Sequence, residues 1–454
     1  MTTPSFRWQN WAGNQVCAPV AIEHPGTDAE LVAIVKEAAA TGTRVKVAGA
    51  GHSFTDIACT DGVLVSLDNY GRLLHVDRER ARVTVQAGIR LSVLNEALAA
   101  RGLALENLGD IAYQSLAGAI STSTHGTGAS FGGLAAQVIG LDLICADGSV
   151  ASCSMDEQPD IFQAARVGLG ALGVLSTVTL QCVPGFNLRA IEEPMRVDHV
   201  IEHLDEYVAE NEHFEFYWVP HTGWALTKRN NRTDEPAGGR GRLGEFRDRV
   251  LLENVAFGAT CRLGRLRPSW IPRLSRILPS TGRTEYVERS YRVFTSPRYV
   301  RFHEMEYSIP RQHAVTALQQ LIDFVHRSGL QISFPVEVRF TAPDDIPLST
   351  ATGRESAYLA VHVYRGMPYE QYFRGVEAIM DRLDGRPHWG KLHYQSAATL
   401  APKYPQWKEW QTVRRRLDPD GRFANAYTER VLGPVTAPRA RRTNRAADQT
   451  SGQG

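Results

Sequence analysis

The sequence predicts an α+β fold in two domains, divided near residue 184. Two observations carry this. Over 1–183, short β-branched runs alternate with stretches of helical spacing, and Pro184-Gly185 then punctuates the chain. Beyond it, over 184–385, glycine thins and aromatics gather, as in Phe214-Glu-Phe-Tyr-Trp-Val219.

In the first domain, strand-like runs fall at 45–48, 63–67, 83–87, 138–144 and 174–183. Helical spacing covers 28–40 and 91–100, with Gly42 and Gly102 as stops. Asp147-Gly148 between apolar runs reads as a hairpin turn. In the second domain the alternation at 214–219 suits strands over a cavity, or ordinary core strands. The segment 236–276 is basic and irregular, with Arg240, Arg242, Arg262, Arg265, Arg267, Arg273 and Arg276 breaking up its apolar residues. It reads as a surface excursion in preference to a peripheral membrane contact. The tail 434–454 lacks apolar periodicity and is expected to be disordered.

The run Arg44-Val-Lys-Val-Ala-Gly-Ala-Gly-His-Ser-Phe-Thr-Asp56 feeds a strand into two glycines and a histidine. Gly49 and Gly51 let backbone approach a ligand with N–H groups facing phosphate oxygens. His52 would then lie against the ring of a bound cofactor, which suggests a tethered flavin. A dinucleotide fingerprint is excluded, because Phe54 stands where the third glycine belongs and a loop follows. A second stretch, Ser115-Leu-Ala-Gly-Ala-Ile-Ser-Thr-Ser-Thr-His-Gly-Thr-Gly128, combines small side chains with the hydroxyls of Ser123, Thr127 and, just beyond, Ser130. Together the two segments favour a long, nucleotide-shaped ligand.

In Phe334-Pro-Val-Glu-Val-Arg-Phe340, strand alternation puts Glu337 and Arg339 on one face, about 6.5–7 Å apart. The pair suits a grip on a polyhydroxylated substrate; a salt bridge on an exposed sheet face has the same pattern. Arg386-Pro-His-Trp-Gly-Lys391 packs a cation, an imidazole and an aromatic together. There Lys391 would hold a hydroxyl or stabilise a reduced flavin, unless the segment is a surface turn anchored by Trp389. No ligand spacing for zinc is present, and no metal is expected.

With 454 residues, 43% hydrophobic, the chain can bury a sizeable core. Fifty basic against forty-nine acidic residues leave +1, no field for nucleic acid. Six cysteines show no C-x-x-C, and several sit in apolar runs as expected of buried free thiols. The first residues lack a signal-peptide pattern, and no apolar run reaches the roughly 18–20 residues of a spanning helix. The expected location is cytoplasmic.

In this order, Gln9-Asn-Trp-Ala12, Gly49-Ala-Gly-His-Ser53, Asp56-Ile-Ala-Cys-Thr-Asp-Gly62, Asp160-Ile-Phe-Gln-Ala-Ala-Arg-Val167, Thr177-Val-Thr-Leu-Gln-Cys-Val-Pro184, Pro335-Val-Glu-Val-Arg-Phe340, Asp344-Asp-Ile-Pro-Leu348 and Gly385-Arg-Pro-His-Trp-Gly-Lys391 run through nearly the whole folded chain. The set resembles the sugar-lactone branch of the vanillyl-alcohol-oxidase flavoprotein family, which includes L-gulonolactone and D-arabinono-1,4-lactone oxidases. The resemblance implies an FAD domain, a cap domain over the flavin ring, and a segment 386–433 that returns to the FAD side. It implies FAD bound covalently through His52. Val47, Ala48, Gly49, Ala50, Gly51, His52 and Ser53 would contact pyrophosphate and ring edge. Ser115, Ser123, Thr127, Gly128, Ala129 and Ser130 resemble further FAD contacts, and Val174 an adenine-side contact. Glu337, Arg339 and Lys391 would line the substrate site with Ser115 nearby.

The implied reaction oxidises an aldono-1,4-lactone at its C2 alcohol to an ascorbate-type product. Electrons would go to dioxygen, giving hydrogen peroxide, or to another acceptor. The alternatives are an alditol oxidase acting on xylitol or sorbitol, and a flavoprotein dehydrogenase needing a protein acceptor. The animal lactone oxidases carry a hydrophobic, membrane-associating stretch in the cap. Arginines interrupt the equivalent 250–278 here, so membrane contact is expected to be at most peripheral.

Overall fold

The computed structural model describes residues 6–239, 257–277, 282–296 and 300–435. Its first unit opens with a parallel sheet in the order Ala21–Glu23, Val63–Ser66, Val45–Ala48. The helix Asp28–Thr41 makes the crossover between its outer strands. Thr27 and Glu30 form its capping box, and Gly42, at φ 73°, ends it in the left-handed region. An antiparallel sheet of five strands follows, ordered Val150–Ser154, Val138–Ile144, Val174–Gln181, Arg82–Gln86, Leu73–Asp77. Asp147-Gly148 turns the chain between the first two of these strands, Gly148 taking φ 78°.

The run expected over 174–183 divides. Its main strand ends at Gln181, and Val183–Pro184 pairs separately with Leu103–Ala104. Gly185 N–H then donates to the Gly102 carbonyl (2.8 Å), so Pro184-Gly185 is bonded to the first unit and is no free linker.

The second unit is an antiparallel sheet ordered Thr284–Arg289, Asn187–Arg196, Trp224–Thr233, His213–Trp218, Val336–Thr341, Ser356–Tyr364, Phe302–Pro310, Arg386–Pro387. Helices Ala314–Ser328 and Glu370–Arg382 bury Leu318, Leu321, Phe373 and Val376 against one face of it, among Phe214, Phe216, Met305, Val336 and Val338. Period-two alternation turns the intervening side chains to the other face. Those are Glu215, Tyr217, Glu304, Glu306, Glu337, Arg339 and His362. This face is polar and is nonetheless buried, because the first unit covers it.

The two units are bonded to each other at several places. Gly128 N–H donates to the Phe340 carbonyl (2.8 Å), and Phe340 N–H donates to Thr127 Oγ1 (3.2 Å). After Arg386–Pro387 the chain re-enters the first core, contributing Trp389, Tyr404, Trp410, Phe423 and Tyr427 to it. Within the arginine-rich segment, residues 236–239 are irregular as expected, whereas Phe257–Leu266 and Ile271–Ile277 are helical, contrary to that expectation. Residues 240–256 of that segment, and 436–454 of the tail expected to be disordered, lie outside the described residues. No helix among the described residues is long and apolar enough to cross a membrane. The six cysteines are unpaired, four of them buried, and burial pushes the Cys153, Cys182 and Cys261 thiols up to about 12.

Candidate active site

Two cavities meet at Gln114, which lines both. The first, about 100 Å³, lies wholly in the N-terminal unit. Strand Val45–Ala48 delivers the loop 49–55 to one side of it, and helix Leu116–Ser121 with residues 169–175 closes the other. Val47, Gly49, Ala50, Gly51, His52, Ser53 and Ser115 all line it. Gly49 is needed for room: a Cβ there would lie 1.9 Å from Ser115 Oγ. Gly51 is needed for shape, at φ 67° immediately before His52. The remaining residues expected to touch a cofactor lie elsewhere. Ala48 is buried in its strand and Val174 is fully buried in the core, while its neighbours Gly173 and Leu175 line the cavity. Ser123 Oγ bonds Thr350 (3.2 Å), and its neighbour Thr122 takes the wall position. Thr127 and Gly128 form the clip to the cap, Ala129 packs on the cap core, and Ser130 is exposed.

Lys46, unremarked within its apolar run, is fully buried at this cavity. Its Nζ donates to the carbonyls of Gly170 (3.1 Å) and Phe423 (3.2 Å). Burial, then the nearby Arg414, lowers its pKa to about 7. His52 stacks on Trp11, ring centroids 5.4 Å apart and 28° from parallel. Burial, followed by the charges of Arg90 and Lys391, lowers its pKa to about 4, so it is neutral at physiological pH. Close-approach glycines, a buried lysine and a neutral imidazole suit an extended phosphate-bearing flavin cofactor.

The second cavity, about 140 Å³, lies between the polar face of the cap sheet and the first unit. Glu337, Arg339 and Lys391 come together on its wall; Ser115 belongs to the other cavity. Arg339 is clamped between two carboxylates. Its Nε donates to Glu215 (2.7 Å) and its Nη2 pairs with Glu337 Oε1. Tyr217 hydroxyl lies 2.9 Å from Glu337 Oε1 and 3.0 Å from Glu215. Burial raises the Glu337 pKa against the opposing pull of Arg339, and the flanking carboxylates hold the Arg339 pKa well above its usual value despite burial. Among the described residues Glu337 Oε2 makes no hydrogen bond, which leaves it for a ligand. The pair is therefore buried at a cavity, not on an exposed sheet face.

Lys391 pairs with Glu304, and His362 Nε2 lies 3.4 Å from the same carboxylate. Burial alone would raise the Glu304 pKa, but those partners outweigh it and hold the carboxylate low. Glu306 beside it meets His125 Nε2 at 3.1 Å. Together with His388 these two place three possible ligand atoms within 4.8 Å of one another. His388 Nδ1 accepts the Gly390 N–H (3.0 Å), so its Nε2 carries the proton of a neutral ring and offers no lone pair to a metal. Burial lowers its pKa to about 3. That tautomer makes the cluster a poor fit for a metal. The sequence signal for these residues is the charge alternation of His303-Glu-Met-Glu-Tyr307, together with histidines inside two motifs noted for other residues.

A D-arabinono-1,4-lactone oxidase family model matches residues 178–431, and an FAD-binding domain model matches residues 19–154. The chain belongs to the D-arabinono-1,4-lactone oxidase family. Within the wider set of such proteins it is 50% identical to L-gulono-1,4-lactone dehydrogenase of Mycobacterium tuberculosis, over 94% of this chain and 99% of that one. It is 37% identical to L-gulonolactone oxidase of Bos taurus, over 94% and 98%. A cholesterol oxidase from Brevibacterium sterolicum superposes with a TM-score of 0.80 at 17% identity, covering 95% of this chain and 99% of that one, which establishes a shared fold. In the lactone oxidase family member described here, the FAD-binding match contains the 49–53 loop and most of the first cavity, and the lactone oxidase match contains Glu337, Arg339 and Lys391.

Proposed function

We propose that this protein is an FAD-linked enzyme oxidising the C2 alcohol of an aldono-1,4-lactone (L-gulono-, L-galactono- or D-arabinono-1,4-lactone) to an ascorbate-type product. The observation that carries this reading is that Glu337, Arg339 and Lys391 share a cavity that meets the cofactor cavity at Gln114. FAD supplies the acceptor for the carbinol hydride.

The chain supplies position and field. Glu337 Oε2 orients the C2 hydroxyl as an acceptor, its other oxygen being fixed by Arg339 and Tyr217. Arg339 and Lys391 place positive charge where negative charge develops as the hydroxyl proton leaves. Val47, Gly49–Ser53 and Ser115 hold the cofactor, and His52 tethers it: the ring is neutral, so a nitrogen lone pair is available. The relatives include both a dehydrogenase and oxidases, and dioxygen or a second acceptor takes the electrons.

Anaerobic mixing with L-gulono-1,4-lactone is expected to bleach the flavin's visible band, and readmitted air then reports whether dioxygen reoxidises it. Bleaching by xylitol alone would transfer the assignment to alditol oxidation. His52→Ala is expected to release its flavin on denaturation; flavin that stays with the denatured variant would exclude His52 as the tether.

A further inference from the structure

The loop that carries His52 has no sheet partner of its own, so its carbonyls must be satisfied elsewhere. An N-terminal hook does this. Trp8–Gln9 pairs with Val16–Cys17, and the turn between them is built on Asn10, whose Oδ1 accepts the N–H groups of Gly13 (2.9 Å), Asn14 (3.1 Å) and Gln15 (3.1 Å). From this turn the hook reaches the loop. Trp11 N–H donates to the Gly51 carbonyl (2.8 Å) and Asn10 Nδ2 to that of Ser53 (2.9 Å). Asn14 Nδ2 (2.8 Å) and Gln15 Nε2 (3.0 Å) both donate to that of Phe54. The hook thus brackets His52 on either side along the backbone.

The histidine side chain is held differently. Among the described residues its ring nitrogens have no hydrogen-bond partner, and its orientation rests on the stack against Trp11. Trp11 in turn is wedged by edge contacts with Phe54 and Phe302, at 6.3 and 5.6 Å between centroids. A flat, apolar contact fixes the plane of an imidazole without occupying either nitrogen, which a hydrogen bond cannot do.

We infer that Trp11 is a positioning residue for attachment of the flavin, fixing the His52 ring plane while leaving its nitrogens free to react. This rests on the reading of His52 as the tether. In the attachment a bond forms between a His52 ring nitrogen and the 8α methyl carbon. That nitrogen and that carbon each give up one hydrogen as a proton. The two electrons released pass through the flavin ring to dioxygen, reducing it to hydrogen peroxide.

The test follows covalent incorporation in the full-length protein. Wild type, Trp11→Leu and Trp11→Phe are loaded with FAD in air, and flavin fluorescence in a denaturing gel is compared over time with total bound flavin before denaturation. Expected are full attachment in wild type, a ~10–100-fold slower attachment in Trp11→Leu at undiminished total flavin, and near wild-type attachment in Trp11→Phe, which keeps the stack. Attachment in Trp11→Leu at the wild-type rate would overturn the inference. So would loss of all bound flavin in both variants, since Trp11 would then serve the fold. Absence of attachment in wild type would instead overturn the tether itself.

Discussion

At Arg339 rate and stability are separable. Its guanidinium compensates two buried carboxylates, Glu215 and Glu337. Arg339→Ala leaves them as buried like charges, and a loss of about 3–5 kcal/mol of stability is expected alongside lost activity. Glu337→Gln retains the Arg339–Glu215 pair and a partner for Tyr217, so its melting temperature is expected to change little. The limiting rate of flavin reduction should fall ~100-fold, read by anaerobic stopped-flow. Unchanged reduction in Glu337→Gln would return the pair to a purely structural role. Lys46 gives a pH signature. Its folded pKa is about 7 against an unfolded value of 10.5, so between these pH values the unfolded chain holds more protons and raising the pH favours the native state. Relative to Lys46→Met, wild type should gain stability from pH 7 to 10.5, and the difference should be flat below pH 7. Denaturant titrations of both proteins across that range measure it.

Short elements set the site's register, and there the sequence was least legible. Long periodic elements could be read: the helix Asp28–Thr41, the strand Val138–Ile144, and the strand face shared by Glu337 and Arg339 all follow from alternation or helical spacing. Helix Leu116–Ser121 spans six residues, and the chain beyond it follows no period. A shift of one residue there moves a side chain from cavity wall to core, which separates Thr122 from Ser123, and the same single step at the start of the strand Val174–Gln181 separates Leu175 from Val174. The face bearing Glu304, Glu306 and His362 was hidden for another reason: its strands are brought together from distant parts of the chain, so no local window contains the cluster. The close fit of this helix to the 49–53 loop carries its own expectation. Ser115 caps the helix by accepting the Gly118 N–H (3.3 Å) and stands where a Cβ on Gly49 would go. Gly49→Ala is expected to displace the cap, costing about 0.5–2 kcal/mol, and to weaken FAD binding, read by thermal melts and flavin retention on gel filtration. An unaltered melt with full flavin content would show that the loop yields without loss.

At the scale of the molecule, the order of the chain and the order of the cores disagree. The first core is not completed by the first 183 residues: Trp389, Leu400, Tyr404, Trp410, Val413, Phe423, Tyr427, Val431 and Leu432 are all buried in it. Structural bonds tie them in. Trp410 Nε1 donates to the Ala164 carbonyl (3.1 Å), and Asn425 Nδ2 donates to the carbonyls of Asp56, Ile57 and Cys59 (3.0, 3.1 and 2.8 Å), the stretch that follows the His52 loop. Burial of one large apolar side chain contributes about 1.5–3 kcal/mol, while a whole domain is stable by only about 5–15 kcal/mol. Removing nine such side chains exceeds that margin. A chain ended at Asp384 is therefore expected to lose flavin binding and cooperative melting of its first unit, although every residue of the 49–53 loop and Ser115 is present. Circular dichroism melts and flavin content check this together. A truncated chain that still melted cooperatively with flavin bound would mean that the first unit closes its cofactor cavity unaided, and that residues 386–433 serve the lactone cavity alone.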